Sequence, residues 1–367
     1  MKPVAEAEIG RLRAAAYRVP TDSPESDGTI EWSHTGVVVV HVSAGGREGL
    51  GWTYGPRACA ALLRDILFPA IEGLSALDVG GAWQAMVRSL RNAGRGGAGM
   101  MAISAVDLAL WDLKARILGL PLAGLIGQVR DCVPIYGSGG FTSYTEGKLC
   151  RQLAGWAGSG IGRVKMKVGR DPSADRRRVR AARRAIGAGT ELFVDANGAY
   201  SRKQALGMAQ VFASESAVSW FEEPVSSDDL DGLRLLRDAG PAGMDIAAGE
   251  YGDSPGYFLR MIPAVDCLQA DATRCGGITG FLKAAALCEA AHVPFSAHCA
   301  PQVHAHAGCA APGLRHVEYF FDHARLDGLL FDGVLRPEKG RLRPDLGRAG
   351  HGMSLRGSGA ERYRIQA

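Results

Sequence analysis

Apolar positions along this chain change their period twice. Residues 12–19 and 37–42 have strand composition, and Ala44-Gly45-Gly46 reads as a hairpin turn into residues 49–54. Between the first two runs, residues 20–34 carry Pro, Gly, Asp and Ser throughout and predict an exposed loop. From about residue 57 to 127 the spacing becomes helical. Its strongest stretch is SAVDLALWDLKARILGL, where Val106, Leu110, Leu113 and Ile117 share one stripe. Ser104 and Asp107 suit a capping box there, Pro121 marks the end region, and Trp111 within the stripe reads as core packing.

From residue 133 the pattern becomes a regular alternation. Short apolar runs at 133–140, 163–169, 191–198, 218–225, 245–250, 267–273, 294–299 and 316–321 are mostly separated by helix-length segments such as 173–188. A doubly wound sheet shares this alternation. However, polar residues close nearly every run, which suits an α/β TIM-type barrel with its site at the C-terminal rim. The tail after about 325, rich in Gly, Arg and Pro, is expected to pack back on the first domain.

Those closing polar residues carry the chemistry. Asp195, Glu222 and Glu250 end three successive strands, one strand–helix unit apart. Neighbouring barrel strands bring such carboxylates together, and a hard divalent cation with oxygen ligands is their natural counterweight; Mg²⁺ fits. Singly, each reads as an ordinary surface carboxylate; as a spaced trio they point to a metal. One strand earlier, Lys165 and Lys167 project to one face between Val164, Met166 and Val168. At ~6–7 Å and an effective dielectric near 20, their repulsion is about 2–3 kcal/mol. That repulsion, desolvation and the metal all favour a neutral amine, so one lysine is expected to be lowered toward the range of a base. Across the barrel, Asp271 and His298 end the sixth and seventh strands, where the carboxylate fixes the imidazole tautomer and raises its basicity. Glu318, on the last strand, faces the same mouth and, if protonated, suits hydrogen bonding to a substrate carboxylate. Its bland reading is a strand-end salt bridge.

Other features carry less. His304 and His306 form an HxH pair that trails the seventh strand, so a loop or helix start accounts for it better than a metal site. The Gly-rich 158–162 precedes a strand and is not a dinucleotide loop. Glu223 points away from Glu222 by strand alternation.

Bulk composition removes alternatives. Across 367 residues, 42 basic and 38 acidic side chains are interspersed, which gives no reason to propose a nucleic acid or a membrane surface as partner. The N-terminus lacks the apolar core of a signal peptide, and no run approaches a membrane span. Eight cysteines stand singly without a CxxC pair, so reduced thiols in a cytoplasmic protein are expected.

With these residues placed, the chain resembles the mandelate racemase/muconate lactonizing group of the enolase superfamily. The matching segments are AVDLALWDLKAR, VKMKVG, VDANGAYS, WFEEP, AAGE, DATRCGGIT, FSAHC and HVEYF, in the family's order over nearly the whole chain. The KxK pair together with the His–Asp dyad resembles the mandelate racemase subgroup. The resemblance implies an α+β capping domain (1–130), a modified (β/α)7β barrel (131–325) and a C-terminal segment (326–367) returning to the cap. It implies one Mg²⁺ per subunit on Asp195, Glu222 and Glu250. Lys167 and His298 become opposed acid/base groups, tuned by Lys165 and Asp271. Lys165, Glu318 and Asn197 become substrate contacts. The reaction implied is removal of the proton next to a carboxylate through an enolate, most often in dehydration of an acid sugar to a 2-keto-3-deoxy acid. Racemisation of an α-hydroxy acid is the runner-up, and an acid-binding barrel without turnover is a remote third. A small carboxylate partner and a homo-oligomer, from dimer to octamer, are expected. Residues 20–34 resemble the family's specificity loop, where Asp22, Ser23, Glu25, Asp27, Glu31 and Trp32 offer contacts.

Overall fold

The computed structural model describes residues 7–366. Strands β1 (Arg11–Ser26), β2 (Glu31–Ala44) and β3 (Arg47–Thr53) form an antiparallel sheet, and the late strand Arg364–Ile365 pairs with β1 on its outer side. The two-residue turn Gly45–Gly46 joins β2 to β3.

Residues 20–34 are not a loop. β1 and β2 remain paired through Pro20↔His34, shift register, and pair again at Glu25↔Trp32 and Ser26↔Glu31. The ribbon closes only at 27–30, where the Asp27 carboxylate accepts from Thr29 N (2.6 Å) and Ile30 N (2.8 Å). The polar composition misled because a strand's stability lies in its cross-strand partners and its burial, not in its own residues. Glu25, Ser26 and Asp27 are buried, and Ser26 and Asp27 hold the barrel segment at Thr142 through their carbonyls. At the tip, a Cβ on Gly28 would lie 2.3 Å from the Ala196 carbonyl oxygen and 2.8 Å from that of Val168. Only glycine allows so close an approach of hairpin to barrel.

β3 lies on the helix Ala98–Leu118 with the same intimacy: a Cβ at Gly49 or Gly51 would lie 2.1 Å from a helix carbonyl. Ser104 and Asp107 do not cap this helix. They sit in its second and third turns, fully buried, and face the helix Gly277–Ala290 of the barrel. Ser104 Oγ accepts from Gly276 N (2.9 Å) and Gly277 N (3.1 Å). Asp107 accepts from Thr279 N (3.0 Å) and Thr279 Oγ1 (2.6 Å). Trp111 is partly buried and donates to Thr279 Oγ1 at 3.0 Å.

Eight parallel strands follow: β4 (Val133–Gly139), β5 (Arg163–Lys167), β6 (Glu191–Asp195), β7 (Val218–Glu222), β8 (Asp245–Ala248), β9 (Cys267–Ala270), β10 (Phe295–Ala297) and β11 (Leu314–Phe320). Each pairs with the next, and β11 closes on β4 through Val317↔Ile135 to Phe320↔Ser138. The ring is a barrel with helices outside. Inside it, Tyr136, Phe193, Trp220 and His316 pack edge-to-face and stacked, with ring centroids 4.9–5.6 Å apart. This aromatic floor fills the interior beneath the strand ends. After β11 the chain returns toward the cap: His351 N donates to Asp112 Oδ1 (2.9 Å) on the helix Ala98–Leu118. Among the described residues, no helix is long and apolar enough to cross a membrane.

Candidate active site

The polar ends of β5 to β11 converge above the aromatic floor. Inward projection from β5 carries both lysines into the barrel. Lys165 Nζ meets Glu222 Oε1 in a short contact, Glu318 Oε1 at 2.9 Å and Asp195 Oδ2 at 3.4 Å. Lys167 Nζ lies 2.5 Å from Asp195 Oδ2 and donates to Asn197 Oδ1 at 3.1 Å. Opposite, His298 Nδ1 is 2.9 Å from Asp271 Oδ2, whose other oxygen accepts from Thr273 N and Oγ1, both at 2.7 Å. The carboxylate therefore orients the ring and leaves Nε2 facing the cavity side.

Asp195, Glu222 and Glu250 each offer an oxygen within 4.8 Å of the others, and all three are buried. Trp220 Nε1, rising from the floor, donates to Glu222 Oε2 at 3.0 Å. Glu250 Oε2 lies 3.1 Å from His298 Nε2 but makes no aligned hydrogen bond. Glu223, with φ +38, leaves strand geometry; its buried side chain keeps an unpartnered Oε1 and feels the charges of Glu250, Asp195 and Glu222. Six carboxyl groups (Asp195, Glu222, Glu223, Glu250, Asp271, Glu318) thus meet only four basic ones (Lys165, Lys167, Arg274, His298), all buried except Arg274. Such an excess of buried negative charge, with an all-oxygen donor trio at its centre, fits a hard divalent cation.

Electrostatics follow from this crowding. Burial alone would lower both lysines, yet Glu222 and Glu318 raise Lys165 well above its ordinary value, and Asp195 raises Lys167. Among the protein's own groups the carboxylates outweigh desolvation and the Lys–Lys repulsion; the expected lowering of a lysine counted a bound cation's charge as well. Burial and Asp195 push Glu222 up to about 8. Glu318 also departs from expectation. Although burial raises it, Lys165 and His298 hold it below the usual carboxylate range, so it is ionised and accepts from Cys299 N at 2.8 Å. His298 is raised, with burial opposed by Cys299, Glu250, Glu318 and Asp271.

The reading of polar strand ends missed Arg274, which reaches Glu250 Oε1 at 3.2 Å and lies 3.6 Å from Asp271 Oδ2. Its signal was its place three residues after Asp271. Cys299 was missed too; its Sγ lies 3.3 Å from His298 Nε2. His304 is structural: on the helix Pro301–Ala307, it takes Ala272 N on Nε2 (2.9 Å) and meets the Cys299 carbonyl with Nδ1 (2.8 Å). Of the polar residues in 20–34 named for the site, only Asp27 and Trp32 line the cavity above the rim, whereas Glu25 is buried behind Trp32 and Glu31 pairs outside with Arg170 (3.0 Å).

Family models match both parts of the chain: the mandelate racemase/muconate lactonizing enzyme N-terminal domain over 17–127 and the enolase C-terminal domain-like family over 148–359. A mandelate racemase/muconate lactonizing enzyme-like protein from Rubrobacter xylanophilus superposes with a TM-score of 0.96 at 56% identity, covering 98% of this chain and 100% of that one. A racemase from Streptomyces coelicolor with bound magnesium superposes at 0.91 with 31% identity, covering 97% and 100%. L-talarate/galactarate dehydratase from Salmonella typhimurium is 32% identical over 88% of this chain and 83% of its own length. The chain belongs to the mandelate racemase/muconate lactonizing enzyme family of the enolase superfamily.

Proposed function

We propose that this family member is a Mg²⁺-dependent lyase that removes the α-proton of an acid sugar and eliminates its β-hydroxyl as water, leaving a 2-keto-3-deoxy acid. The observation that carries it is placement: Lys167 on β5 and the His298–Asp271 pair beyond β9 and β10 flank the carboxylate trio borne by β6 to β8. Asp195, Glu222 and Glu250 would hold Mg²⁺. When bound, the ion supplies positive charge to the substrate carboxylate as charge develops on it.

The chain's own groups do the rest. One of Lys167 and His298 takes the α-proton, and an acid on the other face gives a proton to the departing hydroxyl, so that water leaves and the enol relaxes to the ketone. Asp271 holds the His298 tautomer. Lys165, deep on β5 and clamped by Glu318, would meet the substrate carboxylate with fixed positive charge. Asn197, already bonded to Lys167, would hold a substrate hydroxyl and the lysine in register. Glu318 in its ionised state serves as an anchor for Lys165 rather than as a proton donor.

Racemisation is the second reading, because opposed proton-transfer groups are also what inversion at one carbon requires. Incubation with Mg²⁺ and an acid-sugar panel in D₂O separates them. A 2-keto product with deuterium at C3 supports the lyase, whereas α-exchange with inversion and no keto acid supports the racemase. Mg²⁺-dependent binding with neither exchange nor a keto product overturns both and leaves an acid-binding barrel. A cytoplasmic homo-oligomer, from dimer to octamer, belongs to the same proposal; sedimentation that shows monomer alone overturns that assembly.

A further inference from the structure

Above the rim lies a cavity of about 280 Å³ with acids at both ends and cations at one. The reacting end is lined by Lys167, Arg274 and His298 together with Glu250 and Glu318, the first of these acids belonging to the carboxylate trio. The far end is built by the hairpin tip, by Tyr54 after β3 and by the first turn of the helix Phe321–Leu330. Its charged residues are Asp27 and Asp322.

Neither histidine there supplies a cation. His323 stacks on Tyr54 with centroids 3.5 Å apart, its Nδ1 accepts from Ala300 N at 3.3 Å, and burial drives it down to about 3. His34 Nδ1 lies 3.1 Å from an Arg18 guanidinium nitrogen. Arginine only donates, so that ring nitrogen is the acceptor. The guanidinium of Arg325 is committed to Asp322 Oδ1 (2.7 Å) and the Pro20 carbonyl (2.8 Å), and Arg325 does not line the cavity.

From this we infer that the substrate carries one carboxylate, not two: an aldonic-type acid whose far end is uncharged and hydroxylated. A second carboxylate at that end would meet Asp27 and the Arg325-paired Asp322, and among the described residues that line it no cation is left to receive it, an arrangement that disfavours a like-charged ligand. Hydroxyls, by contrast, can donate to Asp27 and Asp322, while Trp32 and the Tyr54–His323 stack offer faces to the sugar's C–H groups. The inference rests on the rim being the carboxylate-binding end, as proposed above.

The test uses matched pairs that differ only in oxidation at the far carbon, D-gluconate against D-glucarate and D-galactonate against galactarate, with the Mg²⁺-loaded protein. Calorimetric binding and formation of a 2-keto product are read separately. The tighter-binding aldonate is expected to exceed its aldarate by at least about tenfold in affinity. Ile30 lines the far end and is 60% exposed, so Ile30→Arg should place a cation there without disturbing the rim. That variant is expected to improve the aldarate about fivefold and leave the aldonate unchanged. An aldarate bound as tightly as its aldonate by the unsubstituted protein overturns the inference, and so does binding of neither. Preference for the aldonate without any 2-keto product upholds the charge argument while sinking the lyase reading.

Discussion

Two regions of this molecule bury polar side chains, and they do so in opposite ways. At the seam between cap and barrel, Ser104 and Asp107 each meet donors from the turn at Gly276 and Thr279, and Trp83 Nε1 donates to the Gly276 carbonyl at 2.8 Å. Donors and acceptors there match. At the rim, carboxyl groups outnumber basic ones, Glu223 Oε1 and Glu250 Oε2 lack hydrogen-bond partners, and Lys165 serves three acids at once. Satisfied buried polarity holds parts together; unsatisfied buried polarity is a site awaiting a ligand. Burial alone does not separate the two. Partner accounting does.

The sharpest way to break this comparison is at the reacting pair. Lys167→Ala and His298→Asn are each expected to lower kcat by about 10³-fold or more while circular dichroism and Mg²⁺ binding persist. Near-normal turnover in either would make the rim a second structural cluster. Next in size, Glu250→Gln should weaken Mg²⁺ binding, measured by calorimetry, by at least about tenfold. Unchanged affinity removes that residue from the metal trio. The seam should respond in the other currency: Asp107→Ala strands Thr279 N and its hydroxyl and is expected to cost about 1–3 kcal/mol in stability by denaturant titration, with kcat within about twofold. A loss of activity in the folded variant would show that the seam is not merely structural.

The smallest expected effect is a pH slope. Burial raises the Asp107 carboxyl to about 7, well above its unfolded value. The folded chain therefore binds the extra proton, and the stabilisation is complete at low pH and lost as pH climbs through about 7. Asp107→Asn, which keeps an acceptor oxygen for Thr279, should flatten the decline in Tm between pH 5 and 8 by ~2 °C. Parallel melting profiles for the two proteins would refute the assignment.

How much of this was legible in the chain depended on where the partners lie. The barrel strands showed themselves because burial on both faces writes an apolar run and each run ends in its own polar residue, as at Asp195 and Glu222. The paired ribbon in 20–34 did not, since its pairing partners lie within the same Pro-, Gly- and Asp-containing stretch, across a register shift. Ser104 and Asp107 mimicked a local cap because their true partners stand about 170 residues away, a distance no window spans. The far wall of the cavity was invisible for a related reason: Tyr54, Asp322 and His323 belong to no motif and meet only in space. The charge balance at Lys165 could not be summed along the chain, because its three acid partners, Asp195, Glu222 and Glu318, come from β6, β7 and β11.

One feature of the cap bears on how the molecule comes into being. β1, made before the barrel, is partnered on its outer side by Arg364–Ile365, made after it, and His351 closes on the helix that supports β3 through Asp112. During synthesis the early sheet must wait, one edge open, while the entire barrel emerges. The hairpin ceiling and the cavity beneath it are thus finished late, and a nascent chain released after β11 would possess the reacting groups without the sheet edge that secures the roof over them.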